Sequence, residues 1–493
     1  MNSPRYEGVG AQSGTSKTIE VSETATRRSE SSRVCHRESE LCDANFGLSS
    51  VEEIGMGQQL RTIGGIAIGG CLLLGLWGCW KMTEPEQPAL ATPSTSPASS
   101  TSQPSSSPSG SPIAMQSPAS AINPRLIDAN TRFGFKLFAE ILKQDSKKNV
   151  FISPTSVALA LSMTYNGTNG ATKADMAKAL ELQGLTLQDL NQANAKLKTL
   201  LSNPDPHVQL AIANSLWARQ GMTWQPDFLE RNQRFYEAKV TELDFASPDA
   251  PGIINQWVKD NTKGKIDKIV DRLGPADVMV LINAIYFKGN WSVPFDKEQT
   301  ETRQFNGLSG TRSRPMMSQT GEYQYLETTQ FQAVSLPYGK NRRFSFYVFL
   351  PKKTWSLSQL ANSLTAANWS SWMEGFRRRR GSVQIPRFKM EYGIELRAAL
   401  SRLGMATAFQ PKADFSGLSS ESLYLDRVNH KTFVEVNEAG TEAAAVTSTT
   451  IRATAAMPMD EPFNMVVDRP FICAIRDNQT GTVIFIGSIV DPT

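Results

Sequence analysis

Histidine and cysteine are scarce in this chain, and each scarcity excludes chemistry. Of 493 residues three are histidine, and only His207 and His430 lie where the hydrophobic pattern is that of a folded domain. His207 sits in "NPDPHVQ", a loop by its prolines. His430 opens a strand pattern, "DRVNHKTFVEV", where a satisfied buried imidazole is the expectation. There is no G-x-S-x-G elbow, no H-E-x-x-H and no dinucleotide glycine fingerprint. "TKGKIDKIV" has lysines and a glycine without phosphate-loop spacing, and nothing local supports a Ser/His/Asp triad around His430. Cys35, Cys42, Cys71 and Cys79 all precede residue 83, so Cys473 is the one thiol in the remainder and no disulfide framework exists. In "RPFICAIRD" the alternation puts Phe471, Cys473 and Ile475 on one strand face, which reads as a buried, inert thiol. Two thiols and His36 in "CHRESELC", within a charged tail, make a poor zinc site. No cofactor or metal is expected.

Charge of one sign is lacking too. Lys and Arg total 51 against 47 Asp and Glu, a net charge of +4 that gives nucleic acid nothing to hold. The dense basic run Arg377–Arg380 falls between a helical and a strand pattern and is expected to be a solvated loop.

Two long stretches, 62–80 and 87–124, have no charge at all, and they organise the chain. Residues 1–61 are polar and without apolar period, the composition of disorder. "TIGGIAIGGCLLLGLWGCW", residues 62–80, is long enough to cross a bilayer. Two readings fit the segment 62–82. One is a membrane anchor with a cytoplasmic tail. The other starts at Met56, with a short basic region, an apolar core and then Leu76-Trp77-Gly78-Cys79. That resembles a bacterial lipoprotein signal with Cys79 as the lipidated residue, and Met1–Gly55 would then lie upstream of the true start. Both readings put the remainder of the chain outside the cytoplasm. Residues 83–121, mostly Ser, Pro, Thr and Ala, cannot build a core and form a tether. At about 3.1 Å per residue in its proline-rich parts, it could hold a domain on the order of 100 Å from a surface.

The segment 122–493 is globular. "PTSVALALSMTYNG" reads as a helix buried nearly all round, and "IELRAALSRLGM" as an amphipathic helix ending at Gly404. "VMVLINAIYFKGNW", "FSFYVFLP" and "GTVIFIGSIVDP" read as buried strands. Helices cluster first and strands later, without βαβ alternation, which argues an α+β fold with largely antiparallel sheets.

One stretch fits no element. "VNEAGTEAAAVTSTT" (436–450) combines the best helix former with β-branched strand formers and has no large apolar group to anchor it. If it entered a sheet as a strand from Thr441, one face would read Thr441, Ala443, Ala445 and Thr447, all small and uncharged. The other face would carry Glu442, Ala444, Val446 and Ser448. Such side chains can slide between packed neighbours without orphaning a charge. Gly440 supplies backbone freedom at the bend where entry starts.

Five ordered blocks make the chain resemble a known family. "NVFISPTSVALALSMTYNGTNGATKADM" (149–176), "INQWVKDNTKGKI" (254–266) and "LINAIYFKGNW" (281–291) are three of them. "HKTFVEVNEAGTEAAAVT" (430–447) and "DRPFICAIRDNQTGTVIFIGSIVDP" (468–492) complete the set. All are similar to serpin signatures, and together they cover nearly all of 122–493. The resemblance implies an α+β serpin fold with three mainly antiparallel β-sheets, about nine helices and an exposed reactive-centre loop; serpin loop insertion is a known switching transition. A target protease cuts the loop, the cut arm inserts into the main sheet, and the acylated protease is carried off and distorted. By motif, Glu438 is the hinge acid, and Gly440, Thr441, Ala443 and Ala445 come after it in the hinge. Ser153, Ser156, Asn283 and His430 match the polar shutter beneath the sheet. Trp291 matches the aromatic where insertion begins. Counting Glu438 as first, the seventeenth residue is Thr454, so the expected scissile bond is Thr454–Ala455, with Arg452–Ala453 as runner-up. The first would suit elastase-like or subtilisin-like serine proteases, the second trypsin-like ones. A monomeric suicide inhibitor is the expected function, and a non-inhibitory serpin acting as carrier or binding module is the alternative.

Overall fold

A computed structural model describes residues 122–202, 205–441 and 461–493. Cys79, both readings of 62–82 and the tether lie outside the described residues. So do Ala443, Ala445, Arg452, Ala453, Thr454 and Ala455.

Nine α-helices occur among the described residues: α1 (Pro124–Gln144), α2 (Pro154–Tyr165), α3 (Gly170–Ala179), α4 (Leu187–Ser202), α5 (Pro226–Tyr236), α6 (Ala250–Asn261), α7 (Leu357–Asn362), α8 (Ala366–Gly375) and α9 (Arg397–Leu400). The strands up to residue 337 are β1 (Val150–Ile152), β2 (Val208–Arg219), β3 (Lys239–Leu243), β4 (Met279–Asn290), β5 (Glu301–Gly307), β6 (Gly310–Glu327) and β7 (Phe331–Pro337). Eight more complete the set: β8 (Phe344–Pro351), β9 (Arg377–Pro386), β10 (Phe388–Glu395), β11 (Arg427–Asn437), β12 (Gly440–Thr441), β13 (Phe463–Val466), β14 (Phe471–Asp477) and β15 (Val483–Ile489).

The first helix obeys local rules. Asn123 caps α1 by accepting from the Arg125 N–H at 3.1 Å, and Pro124 occupies the first turn where its missing donor costs nothing. Leu126, Ala129, Phe133, Leu137 and Ile141 then recur on its buried face. Helix α2 is buried at every position, as its sequence requires, with Ser153 as N-cap and Pro154 behind it.

Two hydrogen-bonded sheets result. One has six strands in the order β10-β11-β12-β4-β2-β3. The other has nine, β1-β15-β14-β8-β7-β6-β9-β13 with β5 on the flank of β6. Strand β6 is 18 residues long and pairs with β5 through its first half and β7 through its last four residues. The expected second and third sheets are therefore continuous through this one strand. Strand β4 packs on both faces. Met279, Leu281, Ile285 and Phe287 join the main core, while Val280, Ile282, Ala284 and Tyr286 pack with Ile254 and Val258 of α6. A two-sided burial of this kind explains its unbroken apolar run.

Two local expectations fail. The run Arg377–Arg380 is the start of β9, opposite Tyr325 to Glu322 of β6, and not a loop. Its charges remain compatible with a strand because Arg378 pairs with Glu322 and the Arg379 guanidinium lies 5.5 Å over the Tyr325 ring. The helical pattern from Ile394 starts late, because the β10–β11 ladder continues to Glu395 opposite Asn429. Helix α9 then lasts four residues before a wide turn over Ser401–Met405, where Gly404 takes φ of 107°. Cys473 is fully buried in β14, where burial raises its thiol far above the ordinary range and leaves it inert.

Candidate functional site

The chain doubles back on itself at the head of the six-stranded sheet. The Asn437 side-chain oxygen accepts from the N–H groups of Ala439 (3.1 Å) and Gly440 (3.3 Å), forming a turn that ends β11. Gly440 has φ of 153°, and a Cβ there would lie 2.1 Å from the Gly289 carbonyl oxygen, so only glycine fits. Strand β12 then enters between β11 and β4. It is antiparallel to both, with Gly440 opposite Asn437 and Asn290, and Thr441 opposite Val436 and Gly289.

Aromatic and polar groups hold this entry. The Trp291 indole N–H donates to the Asn437 carbonyl at 2.8 Å, and its ring stacks on Tyr338 with centroids 4.5 Å apart. Thr441 is wholly buried, and its hydroxyl shares a 2.6 Å hydrogen bond with that of Tyr338. The Glu438 side chain, 4% exposed, accepts from the Thr300 hydroxyl at 2.7 Å and lies 3.5 Å from an Arg387 Nη. Arg387 is about half exposed, so this pair is screened on one side. Thus Glu438, Gly440, Thr441 and Trp291 converge on one spot. Tyr338, Thr300 and Arg387 complete it, and no local pattern in the sequence marks these three.

Below the head, β11 and β4 pair directly and in parallel, from Arg427 opposite Val280 to Phe433 opposite Tyr286. At the middle of this seam His430 faces Asn283. The His430 Nε2 accepts from the Ser153 N–H at 3.0 Å, so the neutral ring carries its proton on Nδ1 and donates it to the Asn283 carbonyl oxygen at 2.5 Å. The Asn283 amide donates in turn to the Ser156 hydroxyl (2.6 Å) and to the Asn214 carbonyl oxygen (2.5 Å). The Ser153 hydroxyl reaches the Ile484 carbonyl at 2.6 Å and accepts weakly from the Ser156 N–H. Burial holds the His430 imidazole down at about 3, because a charged ring would lose its water and turn a second N–H on the Ser153 donor. Ser153, Ser156, Asn283 and His430 therefore form one network, and each is fully buried. Asn214, opposite Asn283 on β2, also belongs to it. An asparagine in the mostly apolar "LAIANSLWA" is the sign the sequence offers.

No triad geometry exists here. His430 is enclosed by amide and backbone partners, and a group neutral down to about 3 inside a core is a structural element, not an accessible base. Among the described residues no group of three His, Cys, Asp or Glu side chains is arranged to hold a metal.

A two-residue strand seated between β11 and β4 at the head of a sheet, with the two strands closing directly over a buried polar network below it, defines the class of α+β fold to which this chain belongs. Residues 128–492 match the family described as Serpin (serine protease inhibitor). A leukocyte elastase inhibitor of Equus caballus is 36% identical over 384 residues, 75% of this chain and 100% of that protein. An uncharacterised serpin-like protein of Thermococcus kodakarensis is 35% identical over 74% of this chain and 86% of its own length. Among solved structures, native tengpin, a thermophilic serpin, matches with TM-score 0.70 and 35% identity over 75% of this chain and 95% of that one. Thyroxine-binding globulin in complex with thyroxine matches with TM-score 0.68 and 27% identity, covering 75% and 99%. The chain belongs to the serpin family, and it is not an enzyme.

Proposed function

We propose that this serpin is a suicide inhibitor of serine proteases, which cut its loop after Thr454 and are trapped as acyl-enzymes when the cut arm enters the sheet between β4 and β11. The observation that carries this reading is the place of β12. The first two residues of the arm already bond to both strands that the rest would have to separate. Continuing that register would bring Thr447 opposite both Asn283 and His430, where a small hydroxyl could replace the hydrogen bond that insertion breaks. The small side chains of Thr441, Ala443, Ala445 and Thr447 on one face support the same path. An elastase-like or subtilisin-like target fits a Thr-Ala bond, and the name of the horse relative supports an elastase-type target. Residues 62–82 would anchor the protein, 83–121 would space it from a membrane, and 122–493 would act outside the cytoplasm as a monomer.

Incubation with elastase, subtilisin and trypsin, then a denaturing gel and mass spectrometry, tests it. A protease-sized shift resistant to denaturant and a released fragment beginning at Ala455 are expected. Turnover of the loop by all three proteases without a covalent band would overturn the reading. It would favour a carrier instead, for which one feature speaks: a cavity of about 1060 Å³ between α1, α8 and strands β7 and β8. There the Trp369 indole N–H, on a ring only 4% exposed, has no hydrogen-bond partner.

A further inference from the structure

The seam between β4 and β11 ends below in a contact that the shutter does not explain. Asp426 immediately precedes β11. Its N–H donates to the Met279 carbonyl at 2.9 Å, and one carboxylate oxygen accepts both the Met279 N–H at 2.9 Å and the adjacent Val278 N–H. One residue thus joins the feet of the two strands by three bonds, two of them to a charged acceptor. Such bonds are shorter and about twice as strong as neutral ones.

Its surroundings leave no substitute acceptor or donor. Asp277, beside it, is committed to Arg427 through two bonds of 3.0 and 3.2 Å and also accepts from Gly274. Arg427 donates further to the Arg272 carbonyl. Arg397 of α9 gives its guanidinium to the carbonyls of Phe409 (2.9 Å) and Asp426 (3.4 Å), not to the Asp426 carboxylate. Glu395 of β10 accepts from the main chain of Arg397 and Val428. The hydrogen bonds to the Asp426 carboxylate therefore come from the main chain of Val278 and Met279, at the foot of β4.

Resting on the insertion mechanism proposed above, we infer that Asp426 is a positioning residue for sheet opening. It clips the foot of β11 to β4, so that the wedge formed by β12 at the head cannot run down the seam until the loop is cut. With the clip closed, the sheet can open only as a V from the top. With the clip broken, both ends are free and the uncut arm can be taken up spontaneously, which inactivates the inhibitor. Burial and the neighbouring Asp277 push the Asp426 carboxyl above its ordinary value, while the two backbone donors and Arg397 pull it down. A raised value means that the folded state favours the protonated carboxyl, so this group's own titration does not cost stability as pH falls.

The test measures spontaneous loss of protease-trapping titre by the intact full-length protein held at elevated temperature and pH 7.5. Wild type, Asp426→Asn, Asp426→Ala and Asp277→Asn are compared. Removing two hydrogen bonds to a charged group should speed inactivation by about tenfold or more in Asp426→Ala. Asparagine keeps a neutral acceptor, so its rate should fall between wild type and alanine. Asp277→Asn, which loses the neighbouring Arg427 pair but keeps the clip, should inactivate at close to the wild-type rate. An Asp426→Ala rate equal to wild type, or an Asp277→Asn rate as fast as that of Asp426→Ala, overturns the clip. A wild-type protein that never forms a covalent complex sinks the inhibitory reading itself, and the two failures are distinct.

Discussion

Gly440→Ala is the substitution for which the geometry is least forgiving. The new Cβ would lie 2.1 Å from the Gly289 oxygen, 2.7 Å from the Asn290 Cα and 2.9 Å from the Gly289 carbon, all main-chain atoms of β4 that cannot rotate away. A φ of 153° adds strain of about 1–3 kcal/mol for any residue with a side chain. To accept the methyl group, β4 and the hinge would have to separate by roughly 1 Å, a distance that breaks the ladder contacts on that side. The hinge would therefore leave the sheet, and the Thr441–Tyr338 hydrogen bond would go with it. If about 1.4–3 kcal/mol of that cost persists at the insertion transition state, insertion slows between tenfold and more than a hundredfold. Cleavage chemistry and hydrolysis of the acyl-enzyme are untouched, so the competition shifts from trapping to turnover. The assay is a titration of elastase with variant and wild type, reading moles of inhibitor consumed per mole of protease blocked. The excess of that ratio over one, which is the rate of hydrolysis divided by that of insertion, should rise tenfold or more, with unchanged rate of loop cleavage. Wild-type stoichiometry in Gly440→Ala would refute the claim that the hinge must lie between β4 and β11.

The same contacts have other consequences. Thr441→Arg puts a charge where a buried hydroxyl meets Tyr338, and should give a protein that is cut at a normal rate but does not trap, read by the absence of a covalent band. Asn283→Ala leaves the His430 Nδ1–H, the Ser156 hydroxyl and the Asn214 oxygen without their partner. At about 1–3 kcal/mol for each buried orphan, it should lower the melting temperature of the intact form by several degrees, checked by calorimetry. His430 gives a pH dependence. Its pKa is about 3 when folded against 6.5 as the ordinary value, so below 6.5 the unfolded chain binds a proton that the folded one refuses. Stability should then fall as pH drops through that window, by about 1.4 kcal/mol per unit, or about 3 kcal/mol at pH 4.5. For a domain of this length that is roughly 4 °C in melting temperature. His430→Gln should remove this part of the slope.

How much of the fold and site is legible in the sequence depends on the range of the forces involved. Strands β4, β8 and β15 and helix α2 carry their own signatures, because burial on all sides leaves an uninterrupted apolar run. The small, uncharged face Thr441, Ala443, Ala445 and Thr447 is readable as well, because side-chain size and charge are local properties of the sequence. Local pattern fails where pairing overrides it. Ile394 and Glu395 look helical but are held in β10 by the β11 ladder, and Arg377–Arg380 look like a loop but obey the β6 register. Ser153, Ser156, Asn283 and His430 came from motif resemblance. Asn214 did not, because its role exists only when β2 is laid beside β4. Asp426, Tyr338 and Thr300 were invisible for the same reason: each acts on a partner between 100 and 150 residues away, and no spacing in the sequence encodes that meeting.

Stored free energy in the uncut molecule is the central claim, and one comparison reaches it directly. Intact protein and protein nicked in the loop by a protease that is then removed are heated side by side, and their unfolding is tracked by circular dichroism. If the cut arm fills the sheet, the nicked form melts far higher than the intact one, by tens of degrees or beyond the range of the instrument. A nicked form that melts at or below the intact temperature contradicts the claim.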